Sequence, residues 1–156
     1  MENVMSIAKY IVDRYRIEHG NEIDEMKLHK MLYLAQRESF IEKNSPLFDA
    51  VFYGWKYGPV LKEVRSAYKD GTLEMLSSGH LMSDIKKIID KIFDNYANKN
   101  SWSLSRLTHG ELSWKRSREG IAENVNGDKP MNNEDIKKDA ERIKARRKML
   151  RELGRV

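Results

Sequence analysis

Lys27-Leu28-His29-Lys30-Met31-Leu32-Tyr33-Leu34-Ala35-Gln36 is the stretch that decides the fold. Leu28, Met31, Leu32 and Ala35 recur at helical spacing, and Ser39 continues the row. The segment therefore predicts a helix with an apolar stripe turned to a core. Asp24 is a good cap for its start. Asn44-Ser45-Pro46 stops it near Lys43, because the residue before a proline avoids the helical region. Leu34 and Phe40 widen the apolar surface. The stripe leaves Lys27, Tyr33 and Gln36 unexplained. Tyr33 and Gln36 are three apart and share a face. They read either as a buried ring and amide with paired polar ends, or as groups kept for a partner.

Working outward, Val4, Ile7, Ala8, Ile11, Val12 and Tyr15 form the stripe of a first helix, which Gly20 ends. Downstream, Val51-Phe52-Tyr53 and Trp55 have strand chemistry. Gly58-Pro59 is expected to start a third helix, since proline suits the first helical position. Val60, Leu61, Val64, Ala67 and Tyr68 would be its buried side. Thr72 to Met82 reads as a connection. Ile85, Ile88, Ile89, Ile92, Phe93 and Tyr96 mark a fourth helix. Ser103 is placed to cap a short fifth helix through Leu104, Leu107 and Thr108, and Ser113 another turn from Trp114. Residues 119–129 read as loop. Asn132 opens a last helix, with Met131 and Ile136 spaced as a hydrophobic staple. Ile136, Ala140, Ile143 and Leu150 line one side of it.

The resulting expectation is a compact, mainly α single-domain bundle with at most a short β element. A helical core covers 1–131, and a basic C-terminal helix, 132–156, packs on it or projects from it. Ile7, Ile11, Leu28, Leu32, Val64, Ile88, Ile92 and Leu107 are the expected core.

Composition narrows the function classes. The 156 residues suit one domain, large enough for a core without staples. There is no cysteine, which excludes disulfides and cysteine-based zinc sites. The chain starts Met-Glu-Asn with no signal-like segment, and no apolar run approaches the ~20 residues of a membrane span. A cytoplasmic protein is the expectation. The net charge is +5, but Glu134 to Val156 holds nine basic and five acidic residues against 20 and 19 in the rest. The basic balance belongs to the tail, whose run Arg146-Arg147-Lys148 reads as a solvated face, a contact for an acidic partner, or a nucleic-acid contact. His19, His29, His80 and His109 form no paired metal motif. No nucleophile elbow or phosphate loop is present. No cofactor, metal or small-molecule substrate is expected.

Two further segments stand out: Trp55-Lys56-Tyr57-Gly58-Pro59-Val60 and Leu104-Ser105-Arg106-Leu107-Thr108-His109, followed by Ser113-Trp114. Only one of Trp55 and Tyr57 need face the core, which leaves the other as a candidate interface anchor. Thr108, His109 and Ser113 could be read as catalytic. The better reading is that His109 ends a helix and Trp114 packs across the core.

In order and spacing, the three segments resemble the Panacea domain, or SocA-like phage-associated family, from about residue 27 to 114. The first keeps Lys30, Leu32, Tyr33, Ala35 and Gln36 of the family pattern, with His29, Met31 and Leu34 at its variable places. The third lacks a proline often found before the tryptophan. The resemblance implies an antitoxin, no enzyme, that silences a co-encoded protein toxin by binding it, often on prophage DNA. Tyr33, Gln36, Trp55, Tyr57 and His109 are the candidate partner-binding residues. A DNA-binding phage or operon regulator contacting operator DNA is the alternative.

Overall fold

A computed structural model describes residues 1–154. Helix α1 (Val4–His19) runs from an Asn3 cap to Gly20 in the left-handed region. Helix α2 (Glu25–Lys43) starts at Asp24, whose carboxylate accepts the Lys27 N–H at 2.8 Å. Every residue from Lys27 to Phe40 is buried. This is more than an amphipathic stripe allows, and it makes α2 the axle of the fold. Around it pack α1, α3 (Lys62–Asp70), α5 (Ser83–Tyr96), α6 (Ser101–His109) and α8 (Asn133–Glu152). The short α4 (Thr72–Met75) and α7 (Leu112–Ser117) complete the helices, so the mainly α expectation holds.

The β element is a hairpin of β1 (Phe52–Trp55) and β2 (Gly58–Leu61). Trp55 pairs with Gly58 and Phe52 with Leu61. The expected helix start at Gly58-Pro59 is thus a correction. Gly58 takes φ +129°, which no helical residue adopts, and turns the chain back after Lys56-Tyr57. Pro59 is tolerated because a two-stranded sheet has only edge strands. Helix α3 begins at Lys62 instead. The other edge of β1 is covered by the loop before α8, where Gly54 N–H donates to Lys129 O and Met131 N–H to Phe52 O. Gly54 also has a packing duty, since a Cβ there would overlap the Ser117 hydroxyl of α7.

The expected core is buried at Ile7, Ile11, Leu28, Leu32, Val64, Ile88 and Ile92. Leu107 is not: it is 44% exposed. Helix α6 buries Leu104, Ser105 and Thr108, and Leu107 falls at the edge of that narrow stripe. Two caps also differ from expectation. Asn100, in place of Ser103, caps α6 by accepting the Ser103 N–H. At the start of α7 the N–H groups of Leu112 and Ser113 donate to Asp139 of α8, at 2.7 and 2.9 Å. A carboxylate borrowed from a distant helix satisfies the same orphan donors that a local cap would.

Candidate functional site

The three quoted segments meet on one side of α2. Lys30 is 2% exposed and runs its stem beneath Gly58. A Cβ on Gly58 would lie 3.1 Å from Lys30 Cε and 3.1 Å from Thr108 Oγ1. One residue of each segment therefore shares this contact. A side chain at position 58 would be tight against both Lys30 and Thr108, and its neighbours would have to give by a few tenths of an ångström.

Beside it, His29 is also buried. The Leu61 N–H donates to His29 Nδ1 at 3.2 Å, so Nε2 carries the proton and donates to Glu25 at 3.1 Å. Arg65 of α3 donates to the same carboxylate at 2.6 Å. Burial holds His29 below its ordinary pKa, so the ring is neutral near pH 7. Glu25, His29, Lys30, Trp55, Pro59 and Arg65 line part of a cavity of about 220 Å³. Burial pulls the Lys30 ammonium down to about 8.

Tyr33 and Gln36, candidates for a partner that also read as a buried ring and amide with paired polar ends, are fully buried. The Tyr33 hydroxyl lies 3.0 Å from Ser113 Oγ and donates to Asp139 at 3.4 Å. Burial, with Glu111 and Asp139 nearby, pushes its phenol well above the ordinary value. Gln36 accepts the Leu47 and Phe48 N–H groups and donates to Phe48 O at 3.0 Å. Its amide holds the chain that leaves α2. Neither side chain offers surface to a partner, because α2 is enclosed on all sides. Next to them Arg37 pairs with buried Glu111, which also accepts from Arg142 at 3.0 Å.

The remaining candidates lie nearer the surface. Trp55 is half-buried, and its carbonyl accepts the Trp114 indole N–H at 2.9 Å. Its own indole N–H is buried without an acceptor. Arg65 stands over its ring at 5.0 Å. His109 stacks on Trp114 at 4.0 Å, with Nε2 unpaired. Burial, then the charges of Lys30 and Arg118, hold it below its ordinary pKa. Tyr57 is 45% exposed and meets Trp102, 58% exposed, edge to face at 5.4 Å. The structure thus brings Trp55, Tyr57 and His109 to one region and places Tyr33 and Gln36 in the interior.

Sequence reasoning passed over Lys30 and Trp102 as site residues. Lys30 lay in the quoted segment but off its apolar stripe. Trp102 stood outside every apolar row, and that was its only signal. In the tail, past the row of Ile136, Ala140 and Ile143, Arg147 makes a two-pronged contact with buried Glu38, at 2.8 and 3.0 Å. Among the described residues no group of histidines and carboxylates suits a metal, and no helix is long and apolar enough to cross a membrane.

The family model for the antitoxin SocA-like, Panacea domain matches residues 28–115, more than half of the chain. No curated protein and no solved structure gives a significant match.

Proposed function

This chain belongs to the antitoxin SocA-like, Panacea domain family, and we propose that it binds and silences a co-encoded protein toxin. The observation that carries the placement of the interface is the exposed pair Tyr57 and Trp102. Aromatic side chains bury much area at little entropic cost, which is why they anchor interfaces. Trp55 lines the same cavity as Tyr57. Tyr33 and Gln36 act indirectly, by fixing α7 and the chain after α2. An interface of standard size, ~1,200–2,000 Å² in total, readily includes the hairpin turn and the start of α6.

The basic tail supports the same reading over the DNA-binding one. Arg142 and Arg147 are spent on Glu111 and Glu38 of the protein itself, so the charge left on α8 suits steering of an acidic partner.

The test is a titration of the full chain with the purified product of the neighbouring gene. A tight complex, weakened at least ~10-fold by Tyr57→Ala or Trp102→Ala, is the expected result. A complex unaffected by both substitutions would place the interface elsewhere, and no complex at all would end the proposal.

A further inference from the structure

We propose that the cavity floored by Lys30 is a receptor for one carboxylate group. The Lys30 side chain is almost fully enclosed, and its ammonium, which opens on the cavity, makes no hydrogen bond or ion pair with any described residue. The two nearby carboxylates are committed elsewhere. Asp24 caps α2 and accepts the Ser101 hydroxyl at 2.8 and 2.9 Å. Glu25 accepts from His29 and Arg65. His29 is neutral and its second nitrogen is filled by Leu61. A cation held in an enclosed site without a partner is costly, and ionisable groups perturbed by burial in a cleft cluster at functional sites.

The second observation is independent of the charge. Trp55, on the same cavity wall, carries an indole N–H with no acceptor. The ammonium can take one oxygen of a carboxylate, and the indole N–H, closed over while it lacks an acceptor, takes the other when the ring shifts to meet it. A phosphate would need more. The walls supplied by Trp55, Pro59, Val60 and Met26 are apolar enough for a methylene stem. At about 220 Å³ the cavity is below the ~300–1,000 Å³ of drug-sized sites. It fits an Asp or Glu side chain or a small carboxylic acid. Tyr57 stands on its rim, so a partner docked on Tyr57 and Trp102 reaches the cavity with its next residues. Only this last assignment, to the partner, rests on the antitoxin reading.

The test uses the full chain, ¹⁵N-labelled, with the Trp55 indole signal assigned through Trp55→Phe. Acetate is titrated at pH 7 against chloride at equal ionic strength. The expected result is a saturable shift with acetate that chloride does not reproduce and that Lys30→Met weakens at least ~10-fold. In the unsubstituted protein, the Lys30 side-chain titration, followed at Cε, should move upward when acetate saturates. Equal shifts with chloride, a shift retained in Lys30→Met, or a Lys30 titration that acetate leaves unmoved would each overturn the proposal. A second arm separates the sources. Acetate that weakens binding of the neighbouring gene's product points to a partner's carboxylate. Acetate that binds without affecting that complex points to a free carboxylic acid. Both outcomes support the receptor, and the acetate arm stands even if no toxin complex forms.

Discussion

Gly58 lets Lys30 pass beneath the hairpin: a Cβ at position 58 would sit 3.1 Å from Lys30 Cε, and the backbone there holds φ +129°. The conformation calls for glycine, and the tight space beside Lys30 and Thr108 adds to the strain of any side chain. Gly58→Ala is expected to cost about 1–3 kcal/mol, the range for a residue forced into a sparsely populated backbone region. Chemical denaturation is the measurement. A loss under about 0.5 kcal/mol would mean that the hairpin relaxes freely and does not constrain Lys30.

Lys30 itself should reduce stability at neutral pH. The folded chain sheds this proton near pH 8 instead of 10.5, a difference worth roughly 3 kcal/mol. Below pH 8 both states hold the proton and the folded state bears the whole penalty. Between 8 and 10.5 the unfolded chain binds more protons, so this contribution to stability rises with pH. Lys30→Met keeps the stem length and removes the charge. It should be more stable than the parent at pH 7, with the gap closing as pH approaches 10.5. A variant less stable at pH 7 would assign Lys30 an ordinary structural role.

Glu111 is 1% exposed and faces Arg37, itself buried, and Arg142, which is half-exposed. Removing the shared carboxylate strands the Arg37 guanidinium. Glu111→Ala should cost about 3–5 kcal/mol, whereas Arg142→Ala should cost under about 1 kcal/mol. Thermal or urea melts giving equal losses would show that the pair is solvated.

Leu32 and Leu107 contrast a buried and an exposed leucine. Leu32→Ala should cost about 2–5 kcal/mol, and Leu107→Ala, at a 44% exposed site, no more than about 0.5 kcal/mol. Comparable losses in the same melts would contradict the placement of α6.

The helices were legible because apolar residues repeat with helical period, and the caps Asp24 and Asn132 obey local rules. Two things were not legible. The first strand has strand chemistry, but the second is not legible because Gly-Pro suits a helix start as well as a hairpin turn, and only the pairing of Phe52 with Leu61 decides between them. Burial of Tyr33 and Gln36 was one of two open readings; their partners Ser113 and Phe48, and the Glu111 that pairs with Arg37, lie on other elements and leave no local signal. Periodicity reports which face meets a core. It does not report that polar groups on the opposite face are met by another layer. The exposed aromatics were half legible: Tyr57 stood in a quoted motif, and Trp102 did not.

The central claim is that this protein silences a neighbouring toxin through the surface around Tyr57 and Trp102. Its most direct measurement is growth of cells expressing the adjacent gene, alone and together with this chain. The account predicts toxicity alone, rescue by the parent chain, and loss of rescue by a folded Tyr57→Ala, Trp102→Ala double variant. A neighbouring product that is harmless alone, or toxicity that the parent chain leaves unchanged, would contradict it.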